Sequence, residues 1–239
     1  MEPLRAIDEG VWQSGPVRSG LRPVLCVPGF LGDARVFAPF AEALGGRHVV
    51  ALDLGPGDHD ELVARVQGWV DRLEPELVTG SFGGLLARGV RGMASWATVG
   101  TLPSRAWLSG GVVAQRRLLQ RLPGAVVSGM YRRHTLTSAR ADGLPDALAR
   151  ALAARGLDKA TLVERLRIIE TWPFDERPDV PTLWLAGATD PQVRWTRDQA
   201  LEALGTGVTC AVVPGSHRPH ASHPGPMVTR LEGFWRSGA

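Results

Sequence analysis

Cysteine, tyrosine and lysine are scarce in this chain of 239 residues, which has two cysteines, one tyrosine and a single lysine, Lys159. Cys26 and Cys210 are too few for a disulfide framework or a zinc site, and both lie in apolar runs, so we expect two small hydrophobic core residues. The chain also lacks a large excess of either charge, because 27 basic and 24 acidic residues give a formal net charge of +3. This balance does not suggest nucleic-acid binding.

Long hydrophobic runs are absent as well. No window reaches the roughly 18 uncharged apolar residues of a membrane-spanning helix, so no membrane association is expected. Residues 1–10 carry four charged side chains and no apolar stretch follows that could form a signal-peptide core. With 44% hydrophobic residues the chain can bury a sizeable core. We therefore expect a soluble cytoplasmic protein.

Short apolar runs alternate with helical patterns along most of the sequence. Apolar residues recur at helical spacing over residues 34–44 and 62–73. This alternation is typical of an α/β protein with a mostly parallel sheet flanked by helices. The runs that predict strands are residues 23–27, 49–52, 77–79, 96–99, 182–186 and 208–213.

The pattern changes over residues 108–172, where no strand signal occurs and helical stretches are broken at Pro123, Gly143 and Gly156. We interpret this segment as a helical cap inserted between two strands, and residues 1–107 and 173–239 as the core. The cap has eleven basic and five acidic residues, a net charge of +6 that leaves −3 for the rest. These arginines either form an ordinary solvated surface or attract an anionic substrate or an acidic protein.

A strand-to-helix turn holds the first candidate catalytic residue. The sequence Thr79-Gly80-Ser81-Phe82-Gly83-Gly84 follows a predicted strand and opens a predicted helix. A nucleophilic serine on such a turn needs small residues two positions before and after it, so that strand and helix can approach. Gly83 meets this requirement, whereas Thr79 occupies a position that is usually glycine. Taken alone, the pattern also fits a glycine turn without a catalytic role.

Two later strand ends supply the partners that a serine nucleophile needs. A serine hydroxyl requires a histidine base that is oriented by a carboxylate. Asp190 follows one predicted strand and His217 follows the next, in the order expected for this sheet architecture. Asp190 could instead only initiate a turn, and His220 and His223 compete with His217 for the role of base.

A loop after the first central strand completes the predicted site. Acyl transfer needs backbone N–H groups that stabilise the oxyanion of the tetrahedral intermediate. We expect these donors to be Phe30 and Phe82, the residue directly after Ser81. Gly29 permits close approach of the loop to the substrate, and Leu31 beside it is expected to contact the substrate.

These residues together resemble the α/β-hydrolase family over nearly the whole chain. The resemblance implies an α/β-hydrolase fold, with Ser81 as nucleophile, His217 as base and Asp190 as the orienting acid. Within the family, the tail from Gly215 to Pro224 looks most like that of small capped esterases of the pimeloyl-carrier-protein methyl ester type. That likeness would give the basic cap an acidic acyl carrier protein to bind. Thr79 and Gly80 depart from the family pattern.

The expected function is therefore hydrolysis of a carboxylic ester or thioester through an acyl-enzyme on Ser81, with no metal and no cofactor. Three alternatives stay open: a type II thioesterase that clears carrier-protein acyl groups, a lyase that uses the same triad, and a catalytically silent protein that binds a ligand or partner. Oligomeric state and acyl chain length do not follow from the sequence.

Overall fold

The fold is taken from a computed structural model, which describes residues 3–105, 108, 110–172, 179–193, 197–205 and 207–237. Its centre is an eight-stranded sheet with the strand order β1-β2-β4-β3-β5-β6-β7-β8. The strands are β1 (Arg5–Asp8), β2 (Val11–Ser14), β3 (Val24–Val27), β4 (Val49–Leu52), β5 (Glu76–Gly80), β6 (Ser95–Val99), β7 (Thr182–Gly187) and β8 (Val208–Val213).

The six strands from β3 to β8 pair in parallel, which confirms the predicted sheet. The sequence did not reveal β1 and β2, which form an antiparallel edge hairpin that joins the sheet at β4. All four residues of β1 are exposed, so this strand has no apolar run by which it could be recognised. In contrast, β3, β4, β5, β6 and β7 are buried at every position.

Helices cover both faces of the sheet. A short 3₁₀ helix at Ala34–Phe37 precedes the first of them in the chain. The helices are α1 (Ala38–Leu44), α2 (His59–Leu73), α3 (Phe82–Ala87), α4 (Gly110–Arg121), α5 (Gly124–Ala141), α6 (Asp146–Arg155), α7 (Lys159–Thr171), α8 (Arg197–Leu204), α9 (Pro219–Ser222) and α10 (Pro224–Arg236). Among the described residues, none of these helices is long and apolar enough to cross a membrane.

Two apolar layers form the core, one on each face of the sheet. Trp96 on β6 and Trp184 on β7 are fully buried in one layer, with their rings in an edge-to-face arrangement at 5.4 Å. Fully buried aromatic pairs of this kind stabilise a fold beyond the area that they bury. The core thereby fixes neighbouring strands whose carboxyl ends carry the candidate site.

Helices α4 to α7 lie between β6 and β7 in sequence, and we refer to them as the cap helices. They have a small apolar cluster of their own, formed by Leu119, Val127, Leu162 and Leu166. Trp107 and Pro173, at the predicted borders of this segment, lie outside the described residues. The division of the chain into core and cap therefore remains a prediction, supported by the position of these four helices between two paired strands.

Candidate active site

Ser81 lies in the tight turn between β5 and α3, with backbone angles φ 47° and ψ −112°. A positive φ is uncommon for a residue with a side chain and costs of order 1–3 kcal/mol. The surrounding structure holds this conformation: the Ser81 N–H donates to the carbonyl of Val99 at 2.7 Å, and the Thr101 hydroxyl donates to the carbonyl of Ser81 at 2.8 Å. The geometry is that expected for a nucleophile elbow.

The two positions that flank Ser81 explain why one is glycine and the other is not. A Cβ atom on Gly83 would lie 2.6 Å from the carbonyl oxygen of Pro28 and 2.7 Å from that of Val27, so only glycine fits. Thr79 is fully buried, and its hydroxyl accepts a 3.0 Å hydrogen bond from the indole N–H of Trp96. The unusual Thr79 is therefore accommodated as a hydrogen-bond partner within the core, and the elbow forms without a glycine there.

Asp190 and His217 are brought together at the ends of β7 and β8, as their order in the sequence predicts. The distance between His217 Nδ1 and Asp190 Oδ2 is 2.8 Å. The other carboxylate oxygen of Asp190 accepts the N–H groups of Gln192 at 2.7 Å and Val193 at 3.1 Å. Asp190 thus stabilises the turn that follows it and also orients His217.

The pKa of Asp190 lies below its usual value. Burial works against ionisation, but the hydrogen bond and the charge interaction with His217, together with the N–H groups of Gln192 and Val193, outweigh that effect. An ionised carboxylate accepts a hydrogen bond from the Nδ1–H of His217, and in a neutral imidazole with this tautomer Nε2 carries the free lone pair. This is the tautomer that a general base requires.

The competing histidines are separated from Asp190 by their positions. His220 is 3% exposed and stacks on the ring of Phe37 at 4.6 Å, and neither of its ring nitrogens has a hydrogen-bond partner among the described residues. His223 is exposed and contacts the hydroxyl of Ser222. Only His217 of the three bonds to Asp190 within the described part of the chain.

The loop after β3 approaches Ser81 closely. A Cβ atom on Gly29 would lie 3.1 Å from the Cβ of Ser81, so a larger residue would crowd the elbow. Phe30 and Phe82 contact each other edge to face, with ring centroids 6.1 Å apart. The N–H of Phe82 lies in the first turn of α3 and has no acceptor within that helix. Both Phe30 and Phe82 line one cavity.

A cavity of about 240 Å³ joins these parts, lined by Ser81, His217 and all four predicted loop and elbow residues, Gly29, Phe30, Leu31 and Phe82. The cap helices close it from the other side with residues that the sequence analysis did not identify, because helical spacing alone does not show which face meets the core. These cap residues are Val112, Gln115, Tyr131, His134, Thr135, Leu166 and Ile169.

The described residues contain no group of three or more histidine, cysteine, aspartate or glutamate side chains placed to hold a metal ion. Cys26 is buried, and burial raises the pKa of its thiol far above the usual range. It is therefore a hydrophobic core residue, as its sequence context predicted.

Solved structures with the same fold cover almost the entire chain. The thioesterase domain from the curacin biosynthetic pathway is 16% identical, with a TM-score of 0.67 over 97% of this chain and 99% of that one. The enol-lactonase from Burkholderia xenovorans LB400 is 16% identical, with a TM-score of 0.70 over 98% and 100%. MenH from S. aureus is also 16% identical, with a TM-score of 0.67 over 95% and 98%. At this identity the likeness shows the fold alone.

Comparison with known sequences gives two results. No curated protein matches the chain. The sequence model of the alpha/beta hydrolase family, however, matches residues 24–230, which include every residue of the candidate site. Together with the sheet and its parallel order, this match shows that the chain belongs to the alpha/beta hydrolase family.

Proposed function

We propose that this protein is a serine hydrolase that cleaves a carboxylic ester or thioester through an acyl-enzyme on Ser81. The observation that carries the proposal is the buried hydrogen bond between His217 and Asp190. His217 and Ser81 line the same cavity. A buried, oriented histidine beside a strained serine turn is an arrangement that structural packing alone does not require. It argues against a catalytically silent binding protein.

The first half of the reaction forms the acyl-enzyme. Nε2 of His217 accepts the proton of the Ser81 hydroxyl while the serine oxygen attacks the acyl carbon, and the positive imidazolium is stabilised by Asp190. The N–H groups of Phe30 and Phe82 hold the oxyanion of the tetrahedral intermediate. The intermediate collapses as His217 donates its proton to the leaving alcohol or thiol.

The second half releases the acid. A water molecule takes the place of the leaving group, His217 accepts one of its protons, and the oxygen attacks the acyl carbon bound to Ser81. The second tetrahedral intermediate uses the same two N–H donors. Its collapse returns the proton to Ser81 and frees the carboxylic acid, so neither a metal nor a cofactor enters the proposed cycle.

The cavity wall favours an acyl chain as the bound group. Val112, Leu166 and Ile169 of the cap helices face Phe30 and Leu31 of the core across the space. Among the proteins of the same fold are a thioesterase domain and an enol-lactonase, which are named for cleavage at an acyl carbon. Ester and thioester substrates differ only in the leaving atom at the carbon that Ser81 attacks, so both belong to the proposal.

Active-site labelling and turnover test the proposal together. We expect a fluorophosphonate probe to label wild type on Ser81, and p-nitrophenyl acyl esters to be hydrolysed, with both signals lost in Ser81→Ala. Ser128→Ala, on α5 and outside the cavity lining, is the matched control and should keep both. A folded wild type that is neither labelled nor active on any ester or thioester would refute the hydrolase and favour the lyase or the silent binder.

The surface of the cap helices favours a carrier-protein form of the substrate. Five of the eleven cap cations pair with carboxylates that the structure describes, for example Arg116 with Glu170. Four exposed arginines form no ion pair among the described residues: Arg117, Arg121, Arg132 and Arg133. Exposed apolar side chains lie on the same two helices at Leu118, Val126 and Met130. We propose that this mixed surface docks an acidic acyl carrier protein, as the resemblance to carrier-protein esterases implies.

A further inference from the structure

Arg165 of the cap helices is buried against the core, where it bonds to the loop that carries the proposed oxyanion donor Phe30. Arg165 on α7 is 1% exposed. One terminal nitrogen of its guanidinium donates to the carbonyl oxygen of Phe30, and the other donates to the carbonyl oxygen of Gly55 at 2.7 Å. The same group lies 5.8 Å from the centre of the Phe82 ring. Arg165 therefore contacts both residues whose N–H groups are assigned to the oxyanion.

The core has a place shaped for this guanidinium. Gly32 has a φ of +67°, and a Cβ atom there would lie 2.5 Å and 2.7 Å from the two terminal nitrogens of Arg165. Gly32 also closes a turn by donating its N–H to the carbonyl of Gly29 at 2.9 Å. The glycine is thus required both by its backbone conformation and by the arginine that covers it.

The buried guanidinium has no carboxylate within ion-pair distance in the described part of the chain. The Nε atom of Arg165 has no hydrogen-bond partner among those residues. Burial lowers the pKa of Arg165 to about 10, a value that still leaves the group protonated at neutral pH. An unpaired buried cation costs free energy that an apolar side chain would not, so packing alone does not account for its presence.

We propose that Arg165 is a positioning residue for the oxyanion hole, which it completes when the cap helices are docked on the core. The guanidinium holds the peptide that follows Phe30 through its carbonyl, while the N–H of Gly32 holds the carbonyl of Gly29 in the peptide that carries the Phe30 N–H. Together these bonds restrain the turn that presents the Phe30 N–H to the reacting carbonyl. Its positive charge, beside Phe30 and Phe82, also favours the negative charge that develops there. This inference rests on the proposed hydrolase function, since it assigns a device to the same site.

The test compares Arg165→Met with Arg155→Met. Arg155 is the matched control, because it also joins the cap helices to the core, through Asp53 at 2.6 Å and Asp33 at 3.6 Å, but among the described residues it bonds to neither Phe30 nor Ser81. We expect Arg165→Met to lower kcat on a p-nitrophenyl ester by about 10- to 100-fold with KM changed less than threefold. Arg155→Met should keep kcat within twofold.

A transition-state analogue separates positioning from general stability. A trifluoromethyl ketone forms a tetrahedral oxyanion adduct with a nucleophilic serine, whereas the corresponding methyl ether does not react. Arg165→Met should weaken binding of the ketone by the same factor by which it lowers kcat, and it should leave the affinity for the ether unchanged. Arg165→Lys keeps the charge but cannot span both carbonyls, so it should fall between wild type and Arg165→Met.

A second route displaces the arginine without removing it. Gly32→Ala should push the guanidinium off the Phe30 carbonyl and also strain a backbone with φ +67°. Its effect on kcat should therefore be clearly smaller in the Arg165→Met background, where only the backbone strain is left. If Arg165→Met fails to fold, Arg165→Lys decides the matter, because it should still lower kcat and weaken binding of the ketone relative to Arg155→Met.

The inference and the proposed function fail in different ways. An active wild type with Arg165→Met indistinguishable from Arg155→Met in kcat, or with independent effects of Gly32→Ala and Arg165→Met, would overturn the role of Arg165 alone. A wild type that is unlabelled and inactive on every ester would overturn the hydrolase and this inference with it.

Discussion

The carboxylate of Asp190 and the imidazole of His217 are joined by a hydrogen bond of 2.8 Å, and both side chains are buried. The two residues follow adjacent parallel strands, so the register of β7 and β8 sets their distance. Because N–H groups of the following turn hold the other carboxylate oxygen, Asp190 has little freedom to rotate. Its position therefore fixes the orientation of the imidazole, which lines the cavity.

Asp190→Asn should abolish most activity while the fold persists. The amide can donate a proton to Nδ1 and so stabilise the wrong tautomer of His217, which removes the free lone pair at Nε2. We expect kcat/KM on a p-nitrophenyl ester to fall by about 10³- to 10⁴-fold. Circular dichroism of the variant should match wild type. Retention of more than a tenth of the activity would show that Asp190 does not orient the base.

Thr79→Gly, which restores the common family residue, should destabilise this protein. The change removes the acceptor of the Trp96 indole N–H in a fully buried site and adds a glycine within a strand. We expect a loss of about 2–4 kcal/mol in the free energy of unfolding, measured by urea denaturation. Thr79→Ser keeps the hydroxyl and serves as the control. Equal stability of the two variants would show that the Trp96 hydrogen bond is unimportant.

Much of the fold and of the candidate site could be predicted because each depends on local pattern. The buried strands are continuous apolar runs. Ser81, Asp190 and His217 each follow a strand, and parallel strands place such residues at one edge of the sheet. The hairpin of β1 and β2 left no such pattern, because its first strand is exposed and it pairs with β4 only in the folded chain. Local propensity does not encode that long-range pairing.

The role of the cap helices could not be predicted in the same way. Arg165 is one of eleven basic residues in a segment without a motif, and nothing in its neighbours distinguishes it from Arg167, which is exposed and paired with Glu164. Only the docking of α7 against the core places one of them on the carbonyl of Phe30. Thr79 shows the converse: the sequence marked it as an anomaly, and the three-dimensional neighbour Trp96 explains it.

Gly83→Ala should disturb the elbow through its backbone contacts. The added methyl would overlap the carbonyl oxygens of Val27 and Pro28, which belong to β3 and the oxyanion loop and cannot easily move. We expect a loss of about 1–3 kcal/mol in stability and a drop of about 100-fold in kcat/KM. Gly129→Ala, at an exposed α5 site with nothing within 4 Å, should instead stabilise by about 0.5–1 kcal/mol. Wild-type activity in Gly83→Ala would contradict the packing argument.

His220→Phe should raise stability. The buried imidazole stacks on Phe37, and in the part of the chain that the structure describes its two ring nitrogens have no hydrogen-bond partner. Phenylalanine keeps the stacking and removes the unsatisfied polar atoms. We expect a gain of about 1–3 kcal/mol at pH 7.5, or several degrees in Tm. Thermal denaturation of both proteins measures the difference.

The gain should grow in acid. Burial, with the charges of Arg218 and His217 nearby, lowers the pKa of His220 to about 3, against about 6.5 in the unfolded chain. Between these values the unfolded state binds a proton that the folded state does not, so wild type loses stability as the pH falls below about 6.5, by more than about 1 kcal/mol per pH unit at the steepest. The difference between the two proteins should therefore widen from pH 7 to pH 5. A constant difference would show that His220 finds a partner on protonation.

Charge reversal on the cap helices should affect a carrier-linked substrate and spare a small one. Arg117→Glu with Arg121→Glu places two negative charges on α4, where an acidic carrier protein is proposed to dock. At low salt, kcat/KM for an acyl carrier protein thioester should fall by about 10- to 100-fold, because like charges oppose encounter and docking. Hydrolysis of p-nitrophenyl butyrate should stay within twofold, since neither arginine lines the cavity.

The matched control reverses the same amount of charge elsewhere. Arg230 and Arg236 are exposed on α10, which packs on the core beside α1, so Arg230→Glu with Arg236→Glu should leave the carrier-linked reaction unchanged. Salt separates electrostatic docking from local damage: the Debye length falls from about 10 Å at 0.1 M to about 3 Å at 1 M, so the gap between wild type and the α4 variant should close as salt rises. A gap that persists at high salt, or one that the α10 variant shares, would exclude α4 as the docking surface.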